Sequence, residues 1–364
     1  MTRVRTALVT GGNGYVASWI VQQLLWSGID VRATVRDRKD QAKTRHLRSI
    51  AYDTPGALSL FSANLLDPDG FDRAMAGCDV VLHTASPLLV RGVRDPVREL
   101  IEPATTGTRN VLMAVNRTPT VKRVVLTSSI AAIYGDAADL AAAGNGCFTE
   151  EHWNETSSDR HQPYACSKTL AERLAWKMAE EQDRWDLVAV NPGLVFGPAL
   201  SPHTNSESVR IMRDFGTGFY RLGAASFEFA IVDVRDVAEA HLQAAINPSA
   251  SGRYILVSET MSLLQIAHIL RSSYGGNFPF PRWTVPKMIV SLVAPLRGLP
   301  RRVIKRNVGY PLKFDNRRAM SGLGISFRPA AEAIVDHFGQ LLEDDLVPSP
   351  KRMTRRIRHA AEAR

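Results

Sequence analysis

Three features of this chain predict an α/β fold, a parallel sheet wound with helices on both faces, together with a smaller second domain. Short apolar runs alternate with helical patterns through the first half. The first apolar run ends in glycines and opens directly into a helical pattern. After Gly197 the alternation stops, and polar loops and proline-rich apolar stretches take over. Strands separated by helices need crossover connections, which lay helices over both faces of a parallel sheet.

The elements follow in order. "TALVTGG" is a strand, and "YVASWIVQQLLWSG" is a helix because Val16, Ile20, Leu24 and Leu25 share a face and Gly28 stops it. "DVRATVRD" and "ALSLFSANL" are the second and third strands, and "FDRAMAGC" is a short helix. "DVVLHTAS" is the fourth strand, "PATTGTRNVLMAVNR" a helix and "VKRVVLTSS" the fifth strand. "PYACSK" opens the next helix, and "WDLVAVNPGLVFG" reads as the single strand after it. In this reading residues 1–197 and 229–250 build the sheet domain. Residues 198–228 and 251–346 build a smaller domain over it, and 347–364 form a basic tail.

Composition sets the outer limits. The chain has 364 residues and 45% hydrophobic content, enough for one large or two medium domains. Its three cysteines, Cys78, Cys147 and Cys166, make neither a disulfide framework nor a metal-ligand spacing. No metal is expected, and a reducing, cytoplasmic compartment is. No signal segment is visible at the N-terminus, and no apolar run reaches spanning length. Two prolines and a lysine break "VPKMIVSLVAPL", Val285 to Leu296, which predicts a buried or pocket-lining helix. The net charge is +9, but the segment from Pro350 onward carries six Lys or Arg against one Glu. A second cluster, Arg297, Arg301, Arg302, Lys305 and Arg306, flanks a Gly-Leu-Pro turn. Both read as solvated basic surface, so neither nucleic acid nor a membrane is an expected partner.

The first turn carries the first chemical signal. It reads Thr10-Gly11-Gly12-Asn13-Gly14-Tyr15-Val16-Ala17. A pyrophosphate can rest on backbone N–H groups at a helix N-terminus only where no Cβ intrudes, so glycines there point to a dinucleotide. Thr10, Gly11, Asn13, Gly14, Tyr15 and Val16 are the residues expected around it. The second strand ends in Val35-Arg36-Asp37, where an acidic residue would take a ribose 2′-hydroxyl and an arginine a 2′-phosphate. Arg36, with Lys43 as a second cation, therefore favours NADP(H) over NAD(H).

With "PYACSK" the set acquires a family likeness. Thr10-Gly11-x-x-Gly14-x-x-Ala17 followed by Tyr164-x-x-x-Lys168 resembles the extended short-chain dehydrogenase/reductases, a Rossmann-type family. "VRATVRD", "LTSSIAA", "SKTLAER", "NPGLVFGP" and "FAIVDVRDVAEAHLQA" are similar to segments of one group within it: dihydroflavonol reductases, cinnamoyl-CoA reductases and microbial aldehyde reductases. The likeness runs over roughly residues 5 to 345. It implies a catalytic set of Ser129, Tyr164 and Lys168, with Ser128 as the alternative serine. It also implies NADPH contacts from Asn64 and Leu65, from Thr84, Ala85 and Ser86, from Tyr164 and Lys168, and from Pro192, Leu194 and Val195. Asn64 stands where the family usually has aspartate.

The chemistry implied is carbonyl reduction. The cofactor carries the hydride and the protein must give a proton, although free tyrosine titrates near pKa ~10. Lys168 is expected to lower that value and to hold the nicotinamide ribose. Ser129 is expected to hydrogen-bond the carbonyl oxygen. Asn110 reads as a satisfied buried amide, with the orienting of a proton-relay water as the alternative, His83 as a packed strand residue, and Asp233 and Asp236 as structural carboxylates. Leu88, Tyr134, Phe215 and Tyr220 are candidate walls of the substrate pocket, with Leu89, Phe219 and Trp283 beside them. In plant dihydroflavonol reductases an amide typically stands at the position of Tyr134. Its replacement points away from a flavonoid and toward a moderately hydrophobic aldehyde or ketone. The alternatives are an NAD-dependent nucleotide-sugar epimerase or dehydratase, a hydroxysteroid dehydrogenase, and an NADP-sensing protein without turnover. A monomer or a homodimer fits equally.

Overall fold

The protein is described here by a computed structural model covering residues 4–86, 93–201 and 206–348. Its strands are β1 (Thr6–Thr10), β2 (Asp30–Val35), β3 (Leu58–Ser62), β4 (Val80–His83), β5 (Arg123–Thr127) and β6 (Asp186–Pro192). They continue as β7 (Leu194–Phe196), β8 (Ala224–Ala225), β9 (Glu228–Asp233), β10 (Gly252–Leu256), β11 (Glu259–Ser262) and β12 (Thr284–Val285). Its helices are α1 (Tyr15–Trp26), α2 (Gln41–Tyr52), α3 (Asp72–Met75), α4 (Glu102–Arg117), α5 (Pro163–Glu180) and α6 (Glu207–Thr217). After them come α7 (Val234–Ile246), α8 (Leu263–Tyr274), α9 (Lys287–Val293), α10 (Arg301–Asn307), α11 (Arg317–Leu323) and α12 (Ala330–Glu343).

The main sheet has seven parallel strands in the order β10-β6-β5-β4-β1-β2-β3. Successive strand side chains point to opposite faces, and both faces are buried. Val9, Leu82, Val125 and Val188 pack with Ile20, Leu24 and Val237 of α1 and α7. Leu8, Val81, Val124 and Leu126 pack on the other face with Val111, Val115 and Ala175 of α4 and α5. The strand order reverses between β1 and β4, and the crevice at their carboxyl ends is where such sheets bind ligands.

The chain departs from the sequence reading at four places. The segment 186–196 is two strands, not one. At Gly193 it passes so close to β9 that an added Cβ would stand 2.4 Å from the Ala230 carbonyl oxygen. Beyond that glycine β7 joins a separate sheet in the order β11-β9-β7. The helix α2, capped by Asp40 accepting from the Lys43 N–H, lies between β2 and β3 where none was read. β10 is the edge strand of the main sheet, so the boundary expected at residue 251 cuts into that layer. Finally, the apolar run from Val285 to Leu296 is neither buried nor pocket-lining, because Met288, Leu292 and Leu296 stand at the surface.

A second core gathers Phe196, Phe215, Ile266, Phe278, Phe280 and Phe338 from β7, α6, α8, α12 and the loop before β12. No helix among the described residues is long and apolar enough to cross a membrane.

Candidate active site

Thr10 joins the ends of β1 and β4. Its hydroxyl oxygen accepts the N–H groups of Thr84 and Ala85, each at 3.1 Å, and stands 2.9 Å from His83 Nδ1. With the oxygen already accepting twice, its proton goes to Nδ1, so His83 carries its own proton on Nε2. Burial, reinforced by the Lys168 charge, holds His83 down to about 3. It is a neutral packed strand residue, as read from the sequence.

The glycine turn is fitted to these strand ends. Gly11 adopts φ +66°, and a Cβ on it would meet the Ala85 Cβ at 3.1 Å. A Cβ on Gly12 would meet the Ala33 Cβ at 2.7 Å. Gly14 caps α1 with no side-chain hydrogen bond, which leaves first-turn N–H groups without a side-chain partner. That is a cradle for an anion. The Tyr15 side chain is engaged elsewhere. Its hydroxyl donates to the Gly197 carbonyl at 2.5 Å and its ring packs edge-on against His337. The side chain is therefore committed to the junction with the second core.

Arg36 is exposed just past β2 and makes no ion pair among the described residues, whereas Asp37 is occupied by the Lys39 N–H at 2.9 Å. Lys43 is paired with Asp40 at 3.0 Å, so Arg36 is the freer cation of the two. Asn64 is exposed, and its side chain accepts from the Leu66 N–H. Asn110 donates to the Leu65 carbonyl at 2.8 Å and is a satisfied amide. Pro192 ends β6, and Leu194 and Val195, both half-buried, follow on β7.

Ser129, Tyr164 and Lys168 come together where β5 ends and α5 begins. Tyr164 and Lys168 lie one turn apart on α5. Ser129 follows β5 and caps the short turn 130–132. Burial pushes the Tyr164 hydroxyl up to about 12, and a hydrogen bond with Ser129 works the other way. Burial lowers Lys168 to about 8, with Glu172 opposing the shift. The expected lowering of Tyr164 by Lys168 is not found: burial and the Ser129 hydrogen bond are the influences on its hydroxyl. A cavity of about 10 Å³, room for roughly one water, lies among His83, Ser86, Thr108, Ser128 and Lys168.

Two buried networks hold this centre, and neither was read from the sequence. Glu172, one turn beyond Lys168, accepts from Arg253 Nε at 2.6 Å, from Asn191 Nδ2 at 2.9 Å and from the Ser128 hydroxyl. Asn191 also donates to the Ser129 carbonyl at 3.1 Å. Arg253 reaches the carbonyls of Glu150 and His152, at 2.8 and 2.6 Å, and stacks 3.9 Å over Trp153. Ser128 thus faces the carboxylate, and Ser129 is left to face Tyr164. The second network surrounds Asp136. His161 Nε2, Arg306 Nε and Asn307 Nδ2 bind its carboxylate at 2.8, 2.6 and 2.7 Å. Burial pushes that carboxyl up, but the bonds from His161, Asn307 and Arg306 outweigh it and hold it below the ordinary value. Gln162, the residue before α5, sits at φ 57° with its amide on the Gly135 carbonyl. A left-handed residue there is tolerated because its surroundings are fixed.

The expected pocket walls fare less well. Phe215 is fully buried in the second core, and Tyr220 packs on it at 5.0 Å, so both serve packing. An aromatic on the apolar face of a helix carries the same pattern in either role. Tyr134 packs on Phe148 and Phe314 at 5.1 and 5.5 Å, and burial raises its hydroxyl well above the ordinary value. Phe219 and Trp283 are exposed. Leu88 and Leu89 lie outside the described residues. Asp233 and Asp236 are structural, held by Arg235 at 2.6 Å and by Arg328.

A dinucleotide crevice at the sheet reversal beside a serine, tyrosine and lysine defines an NAD(P)-dependent oxidoreductase. The comparisons with known proteins agree. The chain belongs to the NAD dependent epimerase/dehydratase family, whose match runs over residues 7–257, and the relatives it resembles include cinnamoyl-CoA reductases and anthocyanidin reductases. It is 42% identical over 272 residues to cinnamoyl-CoA reductase CAD2 of Medicago truncatula, covering 73% of this chain and 80% of that one. It is 37% identical over 295 residues to an anthocyanidin reductase of Vitis vinifera, covering 78% and 83%. The structure of the yeast methylglyoxal/isovaleraldehyde reductase Gre2 complexed with NADPH superposes with a TM-score of 0.73 at 26% identity, over 93% of this chain and 99% of that one.

Proposed function

We propose that this protein reduces an aldehyde or ketone to an alcohol with NADPH, on a moderately hydrophobic substrate. The observation that carries the reading is Tyr164, protonated at neutral pH and hydrogen-bonded by Ser129, one helical turn from Lys168. The glycine cradle at α1 and Arg36, which makes no ion pair among the described residues, fit a dinucleotide with a 2′-phosphate. Thr84 to Ser86 follow the end of β4, and Pro192 to Val195 run from the end of β6 into β7. NADPH, when bound, supplies the hydride.

The chain's own residues handle the proton and the developing charge. The Tyr164 hydroxyl donates its proton to the substrate oxygen as that oxygen becomes an alcohol. Ser129 donates a hydrogen bond to the same oxygen and stabilises its growing negative charge. Lys168, cationic at neutral pH, binds ribose hydroxyls and offsets the phenolate left on Tyr164. We further infer that the layer around β7, β9 and the second core is the substrate-covering domain.

The test follows absorbance at 340 nm with NADPH, then NADH. The substrates are aromatic and aliphatic aldehydes, β-keto esters, a 3-ketosteroid and an aromatic acyl-CoA thioester, with Tyr164→Phe run in parallel. Oxidation of NADPH that exceeds that of NADH and collapses in the variant supports the reading. Tightly retained NAD in the purified protein, with no turnover of any carbonyl, rejects it in favour of sugar-nucleotide chemistry.

A further inference from the structure

From Thr260 to Phe314 the chain contains nine Lys or Arg and no Asp or Glu. This acid-free stretch includes α9 and α10, and the structure shows what it presents. Val290 of α9 packs inward on Ile304 and Val308, and β12 pairs with β8, so the layer is anchored in place. The opposite side of α9 and the turn after it is also apolar. Met288 and Leu292, one turn apart on α9, and Leu296 in the short turn that follows are 86%, 73% and 86% exposed. Ile289, Trp283 and Leu222 widen the stripe, and Trp283 Nε1 is bonded to the Leu222 carbonyl at 3.1 Å. A helix apolar on both sides belongs in a core or against a partner.

Charge selects the partner. Arg282, Lys287, Arg301, Arg302 and Lys305 are exposed around the stripe, and none is in an ion pair among the described residues. Arg306, the neighbouring cation, is the one turned inward to Asp136 and Asp139. A second copy of this face would set cations against cations. An anionic bilayer offers both things the face lacks: apolar depth for the stripe, and negative headgroups for long cationic side chains reaching up beside it.

We propose that the α9–α10 face docks this protein on anionic membrane surfaces, with Met288, Leu292 and Leu296 inserted and the five surrounding cations at headgroup level. The binding is peripheral. Because α10 also carries Arg306 and Asn307 to Asp136, the docked face lies next to the network that holds the start of α5.

The test is co-sedimentation of the full chain with phosphatidylcholine vesicles, with and without about a third phosphatidylserine, at about 0.15 M salt. The parent protein is expected to partition at least about tenfold more strongly into the anionic vesicles. The variant Met288→Ser/Leu292→Ser/Leu296→Ser is expected to lose at least about tenfold of that binding. Arg301→Gln/Arg302→Gln is expected to lose several-fold. All these side chains are exposed, so circular dichroism and carbonyl reduction in solution should be unchanged in both variants. Three results overturn the proposal. The first is a parent protein that does not distinguish the vesicles. The second is a triple serine variant that binds as tightly as the parent, which would assign binding to the basic residues beyond 348. The third is a parent that is a dimer without lipid and that the same variant dissolves, which would make the face a contact between copies.

Discussion

Around β5 and α5 the buried charges Glu172, Arg253 and Asp136 are each matched by partners, whereas in and around α9 and α10 the five exposed cations make no ion pair among the described residues. The contrast follows from what solvent permits. A charge taken out of water must be paired and hydrogen-bonded, or its desolvation goes uncompensated. Pairing of that kind fixes side chains, and Ser128, Ser129 and Gln162 are all bound to members of the two networks. At the surface no such demand exists. Of the cations there, Lys287 rests on the Lys305 carbonyl at 3.0 Å and over the Tyr310 ring, while the apolar stripe stands open to solvent. One region is built to hold atoms still and the other to be covered.

Substitutions should separate the two regions by size of effect. The largest belongs to Tyr164→Phe, which removes the proton donor and nothing structural. A loss of about 10³-fold in kcat/KM for carbonyl reduction is expected, with an unfolding midpoint close to the parent's. A loss below tenfold would take the proton transfer away from Tyr164. Next comes Glu172→Gln, which strips the charge from the partner of buried Arg253. We predict roughly 3–5 kcal/mol of destabilisation in urea titrations, together with a fall in kcat. Normal stability would mean that Arg253 is held by its carbonyl partners alone.

The acid limb of stability offers a comparable effect without mutation. Burial lowers His83 to about 3, and His241 and His337 to about 4. In the unfolded chain each titrates near 6.5. Below that pH the unfolded state takes up protons that the native state refuses, so stability is full above about 6.5 and falls toward pH 4. With three such groups the slope near pH 5 should approach about 4 kcal/mol per pH unit, read from urea midpoints across that range. A flat profile there would show that these rings are hydrated or already charged in the fold. Smallest is Arg36→Ala, expected to reduce the ratio of kcat/KM for NADPH over NADH by about tenfold to a hundredfold, the worth of one charged hydrogen-bonding contact. An unchanged ratio would shift the 2′-phosphate to Arg38 or Lys39.

The sequence by itself determined the features whose physics is local. Gly11 and Gly14 between a strand and a helix, Tyr164 one turn before Lys168, and Arg36 at the end of β2 all follow from short spacings, and each lies where the spacing put it. Tertiary structure decided whatever depended on distant partners. Glu172 meets Arg253 from 81 residues away, and Asp136 meets Arg306 from 170, so neither pair leaves a mark in any short window. Phe215 and Leu292 show the same limit from opposite sides. Both are apolar residues with helical spacing, yet one is sealed inside the second core and the other stands open to solvent. Periodicity states that a helix has an apolar face. Only the packing of the whole chain settles whether anything covers it.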